Sequence, residues 1–169
     1  TGYELEYALS ATIEESMAKA IDYFIENAGC DENGNQLPDS PMKGGVVTFA
    51  AGNDGIQNGV PSNYAPVISV GATGRYGRLS TFSNYGDWVD ICAPGEYIYS
   101  SITSGTYARM DGTSMACPHV SGALALLVAQ FGKEGFTNSD LTEILLGGAN
   151  PSLINCYGRA MGPYLDIEG

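Results

Sequence analysis

A chain of 169 residues, 44% of them hydrophobic, is long enough for one domain with a sizeable core. Seven basic residues against 19 acidic ones leave a net charge of −12, which argues against nucleic acid and anionic membrane surfaces as partners. No apolar run approaches the roughly 18 residues that a membrane span needs, and no basic stretch followed by an apolar one opens the chain as a signal peptide would.

The first element is an amphipathic helix. Ile13, Met17, Ala20, Ile21, Phe24 and Ile25 recur at helical spacing, with Glu14, Glu15, Lys19, Asp22 and Glu26 on the other side, which predicts a helix over about 11–28. Thr12 followed by Glu15 has the form of a capping box. Cys30 to Pro41 then reads as a polar surface insertion punctuated by Gly and Pro. Asp31, Asn33 and Asn35 alternate as in a calcium loop, but Met42 stands where the bidentate glutamate belongs, so calcium is left without support.

Gly45 to Ala50 is a short apolar run, expected to be a buried parallel strand. It ends in Ala51-Gly52-Asn53-Asp54-Gly55, whose glycines permit a tight turn that presents an Asn side chain. Such a turn at the carboxyl edge of a parallel sheet is where α/β proteins bind ligands, which makes Asn53 a site candidate. Val67 to Ala72 predicts a second buried strand, and Trp88 to Cys92 a third that stops at Ala93-Pro94-Gly95. A strand–turn–strand unit is expected over Tyr97 to Met110.

Next comes Asp111-Gly112-Thr113-Ser114-Met115-Ala116-Cys117-Pro118-His119-Val120-Ser121-Gly122, running into the apolar stretch Ala123 to Ala129. This predicts a loop feeding a buried helix, with Ser114 at the junction and Pro118 within the first turn or so. Backbone N–H groups are unpaired there and the helix dipole is positive, which suits acyl transfer, where an oxyanion develops. The plainer reading makes Ser114 an N-cap. Ala116 rules out the G-x-S-x-G elbow of α/β-hydrolases. Thr137 to Asp140 can cap a further helix with an apolar stripe of Leu141, Ile144 and Leu145, stopped by Gly147-Gly148.

The four cysteines form no C-x-x-C pair and no zinc spacing. Cys92 in a strand and Cys117 in a helix read as inert core thiols. Cys30 and Cys156 fall in loops, and the sequence leaves a bridge between them open.

Gly-Thr-Ser-Met-Ala-Cys-Pro-His-Val-Ser-Gly over 112–122 closely resembles the nucleophile motif of subtilisin-like serine proteases, the subtilases. Cys117 stands where the family usually has Ser or Thr, and Ser121 where it often has Ala. Ala-Ala-Gly-Asn-Asp-Gly over 50–55 resembles a second family segment, Phe-Ser-Asn-Tyr-Gly over 82–86 a third, and Tyr157-Gly158-Arg159-Ala160 the closing one, with Ala160 replacing a glycine.

The resemblance implies a serine endopeptidase acting on polypeptides through an acyl-enzyme. Ser114 would be the nucleophile, and Asn53 with the Ser114 N–H would bind the oxyanion. Ala51, Gly52 and Gly59 would border the pocket for the side chain before the scissile bond. The Val60–Pro61 bond matches a position that is often cis, and carbonyls near Ser62 and Tyr64 match a weak cation site of some members. No cofactor is implied as required, no metal ligand is assigned, and family habit suggests an extracellular or cell-envelope location.

One component is absent. A serine nucleophile needs a general base, yet the chain has one histidine, His119. It lies five residues after Ser114, about 500° around a helix, so the two are expected on separate faces, and the resemblance makes His119 structural. No lysine stands three residues after Ser114, where Cys117 is found. In subtilases the order is Asp, His, Ser, and no Asp-Thr-Gly-like or His-Gly-Thr-His-like motif occurs here.

The expectation is therefore an α/β, parallel-sheet, subtilisin-like fold, truncated, with residues 1–169 forming the C-terminal portion of one catalytic domain and the N-terminal strands that carry the Asp and His motifs missing. The isolated chain is expected to be inactive and to need its N-terminal half. Its open sheet edge should leave it unstable, self-associating, or rearranged near Ser114. The alternatives are a non-catalytic interaction module and one half of a split protease.

Overall fold

The computed structural model describes residues 13–152 and 156–166. The first helix, α1 (Glu15–Asn27), begins after Glu14, which makes no side-chain capping bond. The expected box from Thr12 to Glu15 is thus not the start of the helix, and Thr12 itself lies outside the described residues. The Gly44 and Gly45 amides are spent on the carbonyls of Ala28 and Ile25 at the end of α1. The ladder therefore starts late: β1 covers Thr48–Ala50 and not the whole run from Gly45.

Three parallel strands form the sheet in the order β1, β2 (Ile68–Thr73), β3 (Ile91–Pro94). Thr48 pairs with Ile68 and Val70 with Ile91. All six residues of β2 are buried, as a central strand covered on both faces requires. β3 begins at Ile91 and not at Trp88, because the chain turns between Gly86 and Val89 first. The tail crosses beside β3, where the Cys92 N–H donates to the Pro163 carbonyl and the Leu165 N–H to the Cys92 carbonyl, each at 2.7 Å. The outer edge of β1 has no strand beside it among the described residues.

β4 (Ile98–Ile102) and β5 (Thr106–Met110) make an antiparallel hairpin, as expected, with Tyr99 stacked on Tyr107 at 5.6 Å between ring centroids. β5 leads through Asp111 and Gly112 into the long helix α2 (Thr113–Phe131). This helix lies across all three parallel strands. Ala116, Val120, Ala123 and Leu124 interlock with Ile68, Val70, Ala72 and Ile91 to form the core. Small side chains on both sides let helix and sheet approach closely.

The sequence predicts α2 as a buried helix, and the structure corrects this. Only one stripe is buried, while Leu126 on the opposite side is 67% exposed. An apolar helix in this position needs cover on both sides, and the described residues supply one. Cys117 is half-buried and donates to Thr48 Oγ1 at 3.3 Å, so it is not a fully buried core thiol. Cys92 is fully buried, and burial pushes its thiol up to about 12, well out of the reactive range. Cys30 and Cys156 are not joined by a disulfide, so the bridge between them that the sequence leaves open is not formed.

The last helix, α3 (Asn138–Gly147), carries a complete capping box. Thr137 Oγ1 accepts from the Asp140 N–H, and the Asp140 carboxylate accepts from the Thr137 N–H. Asn138, at its first turn, donates through Nδ2 to the carbonyls of Ile25 and Gly45 at 2.9 and 3.0 Å. One amide thus ties α1, the approach to β1 and α3 together. Replacing Asn138 by alanine should destabilise the chain by about 1–3 kcal/mol, since two partly buried carbonyls lose their donor. The check is a lower urea midpoint with an unchanged slope.

The polar insertion folds onto itself. Asp31 Oδ1 accepts from the backbone N–H of Asn33 and Asn35, and Oδ2 from the Asn35 side chain. These bonds, led by the Asn35 backbone amide, hold the Asp31 carboxyl below its ordinary range.

Candidate active site

β1 and β5 deliver the two motif segments to one place, the carboxyl edge of the sheet. The Gly112 N–H donates to the Gly95 carbonyl and the Gly95 N–H to that of Thr73, both at 2.8 Å. The start of α2 is thereby fastened to the ends of β2 and β3. The turn after β1 brings Asn53 against the same helix start.

Gly112 is the N-cap of α2, with no side-chain capping bond, and Ser114 is the second helical residue. Ser114 is therefore not the cap that the plainer reading makes it. Pro118 lies in the second turn and not the first. It has no N–H to return to the Ser114 carbonyl four residues earlier, which loosens the helix at the serine. Ser114 is exposed, and its hydroxyl makes no hydrogen bond among the described residues.

Of the first helical N–H groups, those of Met115 and Ala116 turn back to the Gly112 carbonyl. That of Thr113 donates to Asn53 Oδ1 at 2.9 Å. The Ser114 N–H alone is left with no partner among the described residues, as helix starts require of some group.

The Asn53 side chain is held from one side. Its Oδ1 accepts from both the N–H and the hydroxyl of Thr113, each at 2.9 Å. Since a backbone N–H can only donate, the carboxamide orientation is fixed, and Nδ2 must be the group that faces out. Thr113 is fully buried, and its hydroxyl also accepts from the Gly52 N–H at 3.2 Å. Thr113 is the residue that sequence reasoning missed. Its position directly before the serine in the motif was the available signal.

Two donors now converge. A Cβ placed on Gly112 would lie 3.6 Å from Asn53 Nδ2 and 3.7 Å from the Ser114 backbone nitrogen. The space that the glycine leaves open is thus flanked by one side-chain N–H₂, one backbone N–H and the Met115 thioether sulfur, also 3.6 Å away. An anion there would also sit at the positive end of a helix of 19 residues. Such a cradle favours negative charge on an oxygen beside the Ser114 hydroxyl.

A cleft of about 370 Å³ opens beside Ser114, walled by Ile98, Ile102 and Met110 of the hairpin and by Met115 and Pro118 of α2. His119 also borders this cleft. Ser114 and His119 are not hydrogen-bonded to each other, and His119 Nδ1 lies 2.8 Å from the Met115 carbonyl.

The other expected site residues stand apart from this cleft. Ala51 and Gly59 are buried, and Gly52 is half-buried. Ser62 joins two of them: its hydroxyl lies 2.7 Å from the Gly59 carbonyl and 3.5 Å from that of Ala51. The Trp88 indole packs against the open face of Gly59. The Val60–Pro61 bond is cis.

A family model described as the subtilase family matches residues 7–159. A thermophilic serine proteinase from Bacillus sp. (strain AK1) is 50% identical over 121 residues, covering 69% of this chain and 29% of the relative. Thermitase from Thermoactinomyces vulgaris is 47% identical over 89 residues, covering 52% of this chain and 32% of the relative. Among solved structures, a cold adapted subtilisin-like serine proteinase superposes with a TM-score of 0.66 at 33% identity, covering 73% of this chain and 46% of that one. The chain thus spans about a third of the length of these two curated relatives. With its parallel α/β sheet and the family model matched over most of its length, the chain belongs to the subtilase family.

Proposed function

We propose that this chain is the nucleophile-bearing part of a single serine endopeptidase domain. Ser114 attacks the carbonyl of a polypeptide, and the oxyanion is held by Asn53 Nδ2 and the Ser114 N–H. The amine leaves, and water releases the acyl group from the serine. Ala51, Gly52 and Gly59 border the pocket for the residue before the scissile bond. The observation that carries this reading is the Asn53 carboxamide, locked by Thr113 so that its free N–H₂ and the unspent Ser114 N–H face one space.

The base and its orienting carboxylate come from outside this chain, from a segment carrying the family's Asp and His motifs. The exposed apolar side of α2 and the outer edge of β1 are where such a segment would add. Without it, Ser114 stays a weak nucleophile and the same surfaces favour self-association. Secretion is carried over from the habit of the family.

A fluorophosphonate probe tests the assignment. The chain alone should label slowly. Supplied with an N-terminal subtilase portion bearing Asp and His, it should label at Ser114 by at least about 10²-fold faster, and Ser114→Ala should abolish this. Rapid labelling of the isolated chain, lost in Ser114→Ala, would overturn the claim that the base lies elsewhere. No labelling in the complemented form would overturn the nucleophile assignment.

A further inference from the structure

We propose that Asn84 is a positioning residue for oxyanion binding: its buried carboxamide shapes the turn that aims Asn53 at the start of α2. This rests on the reading of Asn53 as an oxyanion donor.

Asn53 is held from the helix side by Thr113 alone, through its own side chain. A short polar side chain on an exposed turn would otherwise sample several rotamers. The backbone on either side of Asn53 is held by a different residue. Asn84 is 5% exposed, and its N–H and both ends of its carboxamide serve this turn, while its carbonyl accepts from the Ser83 hydroxyl. Its N–H donates to the Gly52 carbonyl at 2.9 Å. Its Oδ1 accepts from the N–H of Asp54 at 3.0 Å and of Ile56 at 3.3 Å. Its Nδ2 donates to the Asn58 carbonyl at 2.9 Å.

One residue thus grips the turn at 52, 54, 56 and 58, immediately before and immediately after Asn53. The two obligatory N–H donors fix which end of the Asn84 carboxamide is oxygen. The turn is moulded on this amide. Gly52 has φ +103°, and a Cβ there would lie 2.4 Å from Asn84 Nδ2. Neighbouring segments add two bonds, Gly55 N–H to the Phe82 carbonyl and Tyr85 N–H to that of Ile56. Residues 82–85 are thus the template against which the Asn53 turn sets.

The consequence is kinetic. Removing the Asn84 carboxamide leaves Asn53 and Thr113 in place but frees the turn by an ångström or so, and misplacement of that size costs up to about 10² in rate. In the complemented peptidase, Asn84→Ala should lower kcat about ten- to a hundredfold with KM little changed. In an Asn53→Ala background it should lower kcat no further, because the donor it positions is gone. Asn84→Asp keeps the acceptor for Asp54 and Ile56 but turns an oxygen toward the Asn58 carbonyl, where Nδ2 donated, so it should recover only part of the loss.

Full additivity of Asn84→Ala with Asn53→Ala would overturn the proposal, as would a loss confined to KM. If the complemented wild type shows no activity, the endopeptidase reading fails, and the turn is judged on the chain alone. There, Asn84→Ala should shift the Asn53 side-chain N–H₂ resonances and speed amide exchange at Asp54 and Ile56 at least about tenfold. Unchanged Asn53 resonances in Asn84→Ala would then overturn it.

Discussion

Replacing Asn53 by alanine should lower kcat of the complemented peptidase by about 10²–10³ with KM nearly unchanged, a magnitude known from a subtilisin and carried over to this chain. The reasoning starts from what the ground state and the transition state each ask of the site. A trigonal carbonyl carries little charge, whereas the tetrahedral oxyanion carries a full one, so a fixed N–H₂ donor matters mainly for the second. On the proposed reading Asn53 supplies that donor without any proton transfer, and Thr113 holds its carboxamide without help from substrate. Asn53→Asp is the sharper variant. It retains an acceptor for the Thr113 N–H and hydroxyl but turns an anionic oxygen toward the oxyanion, so kcat should fall below that of Asn53→Ala. Steady-state kinetics of the two variants beside wild type is the measurement. An aspartate variant more active than the alanine variant would place the oxyanion elsewhere.

Much of this site is legible in the chain because its parts are local. The motif around Ser114 and the Gly-Asn turn after an apolar run are contiguous, and each sits at a strand or helix end that a hydrophobic pattern reveals. Thr113 and Asn84 were harder, since their work is done across 60 and 26–30 residues of sequence. Nothing in a one-dimensional pattern says that a buried Asn serves a distant turn and not its own. Strand starts moved for similar reasons. Gly44 and Gly45 look like the beginning of β1 by composition, but their N–H groups are taken by α1. The run from Ala123 to Ala129 reads as buried because its composition is apolar on all sides. One face meets the sheet, and Leu126 on the other lies open, so an apolar composition on all sides does not translate into burial on all sides among the described residues.

Gly112→Ala should cost at least as much as Asn53→Ala, although it removes no donor and replaces neither catalytic residue. Two effects act together. Gly112 has φ +153° and ψ 158°, a region that residues with a side chain scarcely enter, with a strain of about 1–3 kcal/mol. The added methyl would lie 3.6 Å from Asn53 Nδ2 and 3.7 Å from the Ser114 nitrogen. An oxyanion must come to about 2.7–3.1 Å from the same two atoms, so methyl and oxyanion compete for one space. A donor deletion leaves the second donor working, but a filled hole disables both. The expected result is a loss of kcat/KM of about 10³ or more. The strain predicts a lower melting temperature for the same variant, so kinetics are to be read well below it. A variant that is folded and within tenfold of wild type would show that the oxyanion does not occupy the space above Gly112. If the variant is folded and nearly inactive while Asn53 and Thr113 keep their hydrogen bonds, then the opening left by one absent Cβ is as much a part of the site as the amide that points into it.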